Sequence, residues 1–212
     1  MVLIIDIETT GLRGLPIDRV LEVGICEYDE CERTITPIYG EIIRYEDMDG
    51  FKARYESFYN EPMFIFDEGH LTVEDCMYAA KSLDTVVEDV RGIVYGDTIT
   101  SYNTNFDFNK FLYHEPWGLD EITLRPFDIM VMATRHVKEM AMNDRVEDKE
   151  LQDRMLRMWE NNPDRWIRSL DAYRSLCPDD PVGLSGVQSH RALDDAIMEA
   201  HILDAIFSLT GI

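Results

Sequence analysis

The sequence predicts a three-layer α/β or α+β domain, because three strand-like segments come first and strands and helices alternate after them. The length of 212 residues fits one domain, and a hydrophobic content of 45% supplies a core that excludes wholesale disorder. No uncharged apolar run approaches the ~18 residues that a membrane helix needs. We therefore expect one globular domain without a membrane partner.

The strands are predicted from β-branched and aliphatic runs. Residues 2–7 form a short run typical of a central strand. Residues 20–28 and 35–45 read as two more strands, and the polar segment 29–33 between them indicates a turn. This order predicts an antiparallel meander beside the first strand. The acidic and aromatic segment 46–68 is expected to be a long surface loop.

The helices are predicted from capping residues and apolar periodicity. Thr72 and Asp75 resemble a capping box, so a helix should begin near residue 72 and continue, with a break, to residue 91. The next elements are predicted as a strand at 97–102, a helix at 105–113 and a strand or helix start at 127–131 that runs into a helix near residue 138. An irregular insertion is expected at 139–164, with a helix at 151–159 inside it. The chain should then form a helix at 165–176, a loop at 177–189 and a last helix at 190–209.

The charge of the chain is strongly acidic. Twenty lysines and arginines face 42 aspartates and glutamates, which gives a formal net charge of −22. Such a chain should be soluble and repel polyanions, which argues against tight, non-specific duplex binding. Any function on nucleic acid must therefore bring its own cations.

The cysteines and the N-terminal segment indicate the cellular compartment of the protein. Four cysteines, with no CxxC pair and no zinc spacing, are expected to be reduced thiols of a cytoplasmic protein. The N-terminal segment lacks a basic stretch and meets Asp6 after five residues, so it is not expected to be a secretory signal.

The first candidate motif closes the first strand. Side chains alternate along a strand, so Asp6 and Glu8 share one face with Val2 and Ile4 and lie roughly 7 Å apart along the backbone. Two such carboxylates repel each other unless a positive group lies between them. The alternative is that the strand ends in solvent, where water screens both charges. In the turn at residues 9–12, hydroxyl and N–H groups could bind a sugar hydroxyl or a phosphate, and a glycine permits close approach to a ligand.

The second and third candidate motifs also carry acids. Asp107 should lie in the first turn of a helix, where it either serves a site or only stabilises the helix. His190 follows a glycine-rich loop at the mouth of the last helix, where it either serves a site or is a loop histidine that hydrogen-bonds to the backbone. Asp195 shares a helical face with Ile202 and Ile206 within about 20°, so it should point inward, whereas its neighbour Asp194 is expected to be solvated.

Together, and in this order, the three motifs resemble those of the DEDDh exonucleases, the DnaQ-like branch of the ribonuclease H-like fold. The motifs are Asp6-Ile-Glu8-Thr-Thr-Gly-Leu12, then Asn103-x-x-Phe106-Asp107, then His190-Arg-Ala192-Leu-Asp194-Asp195-Ala196. The resemblance covers nearly the whole chain. It implies a ribonuclease H-like three-layer domain, with a mixed central sheet flanked by helices and family-atypical insertions at about 46–68 and 139–164.

The resemblance also implies a reaction. Asp6, Glu8, Asp107 and Asp195 would bind two divalent cations, Mg²⁺ or Mn²⁺, since both prefer oxygen ligands. His190 would act as general base, because imidazole titrates near neutral pH. The enzyme would cleave single-stranded DNA or RNA from the 3′ end and release nucleoside 5′-monophosphates. The residues implied in holding the terminal nucleotide are Thr9, Gly11, Leu12, Asn103 and Phe106.

Other functions stay open at this point. The same motifs would serve an oligoribonuclease-type RNase acting on short RNA, because DNA and RNA present the same phosphodiester. A catalytically silent module that binds nucleic acid or a polymerase, or a structural subunit whose acidic face docks a basic polymerase, would keep the fold without the activity. A homodimer and a polymerase partner are likewise open, and a metal-dependent nuclease assay separates these alternatives.

Overall fold

A mixed five-stranded sheet forms the centre of the computed structural model, which describes residues 1–67, 71–124, 127–179 and 191–210. Its strands are β1 (Val2–Thr9), β2 (Val20–Asp29), β3 (Thr34–Arg44), β4 (Lys81–Ser82) and β5 (Ile99–Thr100). The spatial order is β4-β3-β2-β1-β5. The pairs β1–β2 and β2–β3 are antiparallel, whereas β1–β5 and β3–β4 are parallel. The predicted meander beside the first strand is therefore confirmed.

Helices cover the sheet and extend the domain on both sides. They are α1 (Met48–Tyr59), α2 (Phe64–Asp67), α3 (Val73–Tyr78), α4 (Leu83–Val94), α5 (Thr104–Asp107), α6 (Ile129–Met142), α7 (Lys149–Asn161), α8 (Ser169–Leu176) and α9 (Ala192–Thr210). A π-helical turn at Phe108–Leu112 continues α5, and a 3₁₀ turn spans Leu119–Glu121. No helix within the described residues is both long and apolar enough to cross a membrane.

The alternation of β1 divides the hydrophobic core into two layers. Val2 and Ile4 pack into a cluster with α6, α7, α8 and α9. Leu3, Ile5 and Ile7 point the other way, into a cluster with α4 and the π-helical turn. A sheet with an apolar cluster on each face is the predicted three-layer arrangement, and it leaves the end of β1 free to carry polar side chains.

The prediction of a surface loop at 46–68 is wrong for the described part of that segment. Residues 48–59 and 64–67 are helical, as α1 and α2. Met48 and Tyr55 are the buried residues of α1, and Tyr55 lies against the turn at Gly11. The segment has no continuous apolar stripe, so tertiary contacts rather than its own periodicity stabilise the helix.

The segment 139–164 is more regular than predicted. Its helix, α7, begins at Lys149 and sends Leu151, Met155 and Trp159 into the core at a spacing of four residues. The helix predicted at 165–176 begins only at Ser169. The Arg165 carbonyl accepts a hydrogen bond from Trp159 Nε1 at 2.9 Å, and this side-chain bond takes the place of a helical one.

The predicted helix between 72 and 91 is divided in two. The capping box at Thr72 and Asp75 is present, with hydrogen bonds in both directions, but α3 ends at Tyr78. Strand β4 then pairs with the end of β3, and the Ser82 side chain caps α4. Sheet pairing therefore provides the break.

The last helix lies unusually close to the sheet. Gly24 of β2 faces the start of α9, where a Cβ atom on this glycine would overlap the backbone of Ala192 and Leu193. Only a residue without a side chain permits this approach. The predicted helix at 190–209 corresponds to α9, whereas residues 180–190 of the preceding loop and motif lie outside the described residues.

We expect the substitution Gly24→Ala to destabilise the fold by about 1–3 kcal/mol, the usual cost of inserting a methyl group into a packed interior. Urea unfolding monitored by circular dichroism measures the change. Gly92→Ala is the matched control, because a Cβ atom at Gly92 meets open space in the interior of α4. That control should stabilise the protein by about 0.5–1 kcal/mol. Equal stability of Gly24→Ala and the wild type would contradict the close approach.

Candidate active site

Three carboxylates from two distant parts of the chain meet at the end of β1. Asp6 and Glu8 project from the same face of the strand, as predicted, and Asp195 comes from the first turns of α9. One oxygen of each lies within 4.8 Å of the others. The register explains the meeting, since Asp6 pairs with Gly24 and the bare backbone there lets α9 lie close over the strand.

A fourth predicted acid, Asp107, faces the same cavity. It is buried in the first turn of α5, and Asn103 caps that turn by accepting a hydrogen bond from the Phe106 N–H at 3.2 Å. Burial raises the pKa of Asp107 to about 7, although the Ser101 hydroxyl and nearby backbone N–H groups oppose the shift. A buried carboxylate of this kind favours a role in the site over simple stabilisation of the helix.

A fifth acid, Glu199, was missed by the sequence analysis. It lies one helical turn after Asp195, is buried, and lines the same cavity. Its Oε2 accepts a hydrogen bond from the Tyr102 N–H at 3.1 Å, which ties α9 to the turn before Asp107. The spacing of four residues from Asp195 on an inward face was the signal that could have found it.

The electrostatics of the site are dominated by acids. Burial, and then Glu199, Asp107 and Asp195, raise the pKa of Asp6 well above its ordinary value. Burial, and then Asp195, also raise the pKa of Glu8 to about 8. No lysine or arginine within the described residues forms a salt bridge with Asp6 or Glu8. Arg191 lowers the pKa of Glu8 but does not cancel the rise caused by burial and by the neighbouring acids. Clustered carboxylate oxygens of this kind fit the ligand preference of Mg²⁺ or Mn²⁺.

An ion pair anchors the start of α9 beside these acids. Glu22, the register partner of Glu8 on β2, is buried and accepts hydrogen bonds from Arg191 at 2.8 and 3.0 Å. Its second oxygen accepts from the Ala192 N–H at 3.3 Å, at the positive end of the helix dipole. Neither residue of this pair was predicted as a site residue. A glutamate inside the apolar run of β2 was the available signal.

The predicted base, His190, lies outside the described residues. Its neighbour Arg191 is the first described residue of the third motif. Asp194 is exposed, as predicted, and Ile202 and Ile206 share the buried side of α9 with Asp195.

The turn after β1 differs in detail from its prediction. The Thr10 N–H donates to the Arg19 carbonyl at 3.0 Å, so it is not free for a ligand. The Thr9 hydroxyl donates to the Gly11 carbonyl at 2.8 Å. A Cβ atom at Gly11 would overlap the Tyr55 hydroxyl, so the close approach at this glycine is to α1. The turn is therefore held rigidly beside the acids.

A cavity of about 500 Å³ opens next to the carboxylates. All five residues implied in nucleotide binding line it, as do two residues of α2 and the first residue of α8. The lining away from the acids consists of Thr9, Thr10, Gly11, Leu12, Phe64, Ile65, Tyr102, Asn103, Phe106 and Ser169. The cavity thus has an acidic end and a largely apolar end.

Neither the known family profiles nor the curated proteins contain a match to this sequence. Solved structures do match. E. coli Exonuclease I in complex with a dA16 oligonucleotide has a TM-score of 0.54 and 13% identity, over 98% of this chain and 40% of that one. This chain therefore spans less than half the length of Exonuclease I. The nuclease domain of 3′hExo, a DEDDh family member bound to rAMP, has a TM-score of 0.54 and 14% identity, over 99% of this chain and 92% of that one.

At these identities the likeness concerns the fold, and it confirms the fold that the three motifs predicted. The mixed sheet, its flanking helices and nearly the full length of the chain correspond to the nuclease domain of 3′hExo. The chain has a three-layer α/β fold of the ribonuclease H-like kind, similar to that of the nuclease domain of 3′hExo.

Proposed function

We propose that this chain is a metal-dependent 3′–5′ exonuclease of the DEDDh type, which acts on single-stranded DNA or RNA and releases nucleoside 5′-monophosphates. The observation that carries the proposal is the meeting of Asp6, Glu8 and Asp195 within 4.8 Å. A strand end and a helix almost 190 residues later contribute to one set of oxygen ligands. Burying carboxylates side by side costs free energy of folding, and a catalytically silent binding module would have no need for it.

Two divalent cations, Mg²⁺ or Mn²⁺, are the cofactors of this proposal, with Asp6, Glu8, Asp107 and Asp195 as their ligands. When bound, such cations lower the pKa of a water molecule and stabilise charge on the leaving 3′ oxygen. The raised pKa values of the acids support the assignment, because burial and mutual repulsion are relieved by a cation.

The residues of the chain supply the remaining chemistry. His190 takes the proton from the attacking water, since an imidazole accepts protons near neutral pH. Thr9 and Gly11 shape the turn that faces the terminal nucleotide, and Asn103 and Phe106 line the opposite side. Leu12 packs against the base. A cavity of about 500 Å³ is of a size for one small ligand, which supports the removal of single nucleotides.

The nature of the sugar is left open by these residues. The solved structures of similar fold contain a DNA oligonucleotide in one case and a ribonucleotide in the other. The proposal therefore includes both DNA and RNA 3′ ends, with short RNA, as for an oligoribonuclease, as the alternative substrate.

The variants Asp6→Asn and His190→Ala should separate metal binding from proton transfer. Asp6→Asn should lose Mn²⁺ affinity and more than about 10²-fold in activity, since even outer residues of metal sites cost 10–100-fold. His190→Ala should bind Mn²⁺ like the wild type and lose about 10²–10⁴-fold in kcat. Digestion of 3′- and 5′-labelled DNA and RNA oligomers measures activity and direction, and calorimetry measures Mn²⁺ binding.

Asp194→Asn is the matched control for both variants, because Asp194 is exposed on the same helix. It should keep full activity. Near-normal hydrolysis by His190→Ala at neutral pH would refute the base assignment, and full activity of Asp6→Asn would refute the metal site.

The metal-free protein should become less stable as the pH rises. Glu8 titrates near its ordinary value of 4.5 when unfolded and near 8 when folded, so the folded chain binds more protons between these values. The free energy of unfolding therefore falls as the pH rises from about 4.5 to 8. Thermal melts at pH 6 and pH 8 in a chelator should show the loss, and added Mn²⁺ should reverse it at pH 8.

Asp6→Asn should raise the melting temperature of the metal-free protein at pH 8, because it replaces a carboxyl group whose raised pKa lowers stability with an amide that does not ionise. The exposed-site control Asp194→Asn should change it little. A wild type that melts at a higher temperature at pH 8 than at pH 6 without metal would contradict the proposed electrostatics.

Glu199 should act through its hydrogen bond to Tyr102 rather than as a ligand. Glu199→Gln keeps an oxygen acceptor for the Tyr102 N–H and should bind Mn²⁺ nearly as the wild type does. Glu199→Leu loses the acceptor and should weaken Mn²⁺ affinity about 10–100-fold. Calorimetric titration with Mn²⁺ measures the affinity of both variants. An equal loss of Mn²⁺ affinity in both would show that the negative charge of Glu199, and not its hydrogen bond, supports metal binding.

A further inference from the structure

Four exposed arginines have no side-chain partner in the part of the chain that the structure describes. The other described lysines and arginines form salt bridges or donate side-chain hydrogen bonds to backbone carbonyls. The four exceptions are Arg135, Arg157, Arg165 and Arg168. In a protein with a net charge of −22, unpaired cations are scarce, so their distribution indicates where an anion can bind.

Two of these arginines lie in the segment 162–168, which joins α7 to α8. The segment contains Arg165 and Arg168 against one acid, Asp164, and so carries a formal net charge of +1. Trp166 lies between the two arginines in sequence and is 50% exposed. A tryptophan exposed to this extent leaves a large apolar surface in water, which favours a role in binding.

The segment is fixed on α6. The Ile167 N–H donates to the Thr134 hydroxyl at 3.1 Å, and Ile167 is buried in the core. Arg135 follows Thr134 on the same helix, so a third unpaired cation lies next to the segment. A fixed backbone lets the exposed side chains bind a ligand without the cost of ordering a loop.

The segment leads to the cavity beside the acids. Ser169, the residue after Arg168, lines that cavity. Tyr102 lines it as well, and its hydroxyl donates to the Ile167 carbonyl at 2.9 Å. No lysine or arginine among the described residues lines the cavity itself. The arginines of the segment therefore lie at the rim of the cavity rather than inside it.

We infer that the segment 162–168 is a second contact surface for the substrate, on which Arg165 and Arg168 bind phosphates on the 5′ side of the scissile bond and Trp166 stacks on an unpaired base. Basic side chains that follow the backbone and an aromatic ring that stacks on bases together hold single strands without sequence preference. Charge complementarity with phosphate and continuity with the cavity assign a nucleic acid strand to this surface. The inference rests on the proposed nuclease function and names its substrate class, single strands several nucleotides long.

The inference makes the reaction depend on substrate length. A dinucleotide occupies the cavity beside the acids and does not extend to the segment 162–168, whereas a longer strand contacts both. The KM should therefore fall as the strand lengthens, until the strand covers the segment, and then stay level. This preference for longer strands opposes the oligoribonuclease-type alternative.

The test measures KM and kcat with Mn²⁺ for a series of oligothymidylates from the dinucleotide to about the dodecamer. In the double variant Arg165→Ala, Arg168→Ala, the KM for the dodecamer should rise about 3- to 25-fold, since each exposed ionic contact contributes up to about 5-fold. The KM for the dinucleotide should change less than about 2-fold, because a dinucleotide does not reach these arginines. The kcat should stay nearly unchanged for both substrates.

Salt provides a readout that a purely structural role of the arginines would not change. On a single strand, each neutralised phosphate contributes about 0.7 to the slope of log affinity against log salt concentration. The double variant should therefore lower the slope measured with the dodecamer by about 1.4. Trp166→Ala should leave this slope unchanged and raise the KM for the dodecamer about 5- to 150-fold, the range expected for the loss of one base–aromatic stack.

Matched variants separate strand binding from net charge and from folding. Arg157→Ala is the control, because it removes the same charge from an exposed arginine of α7 that lines a different cavity. It should keep the wild-type KM at every length. The double variant Arg165→Lys, Arg168→Lys keeps the charges and should keep the salt slope, and thermal melts should show that each variant is folded.

The outcomes distinguish the two levels of the argument. If the wild type cleaves no oligomer with Mn²⁺, the proposed function fails. If it cleaves them but its KM does not fall with length, or the folded alanine double variant equals the wild type on the dodecamer, the nuclease stands and the second contact surface is refuted. An equal rise in KM for the dinucleotide and the dodecamer, or an equal rise in Arg157→Ala, would also refute it, because the arginines would then act through the fold or the net charge.

Discussion

The repulsion among buried carboxylates at the end of β1 is the constraint on which the rest of the structure depends. Asp6, Glu8, Asp107, Asp195 and Glu199 converge there, and burial raises the pKa of several of them. Such a cluster opposes folding unless other contacts offset it. The bare backbone of β2 at Gly24 and the ion pair of Glu22 with Arg191 hold the start of α9, and with it Asp195, against this cluster. Stability and the proposed function therefore compete at this point in the molecule.

Much of the architecture could be predicted because its signals are local. The period of two in β1 placed Asp6 and Glu8 on one face, and the apolar residues of α9 showed that Asp195 points inward. The strands of the meander carry their own β-branched pattern and a polar turn. The order and spacing of the three motifs then indicated the fold, which the likeness to the nuclease domain of 3′hExo confirms.

The features that could not be predicted are formed between distant residues. Helix α1 has no continuous apolar stripe and depends on contacts such as that of Tyr55 with the turn at Gly11. The pair of Glu22 and Arg191 joins residues that are 169 positions apart. Glu199 is an exception, because its spacing from Asp195 was visible in the sequence. The backbone bonds that delay the start of α8 depend on Trp159, whose location follows only from the packed structure.

The anchoring of α2 has a consequence for how this fold could diversify. Ile65 lies in a cluster with Leu21, Met48, Leu71 and Cys76 that is separate from the two clusters flanking the sheet. Helix α2, which lines the cavity beside the acids, thus packs on a small cluster of its own, next to β1 rather than within the two main clusters. That segment could change in length or in sequence, and so reshape the cavity, while the acidic centre and the main layers stay as they are.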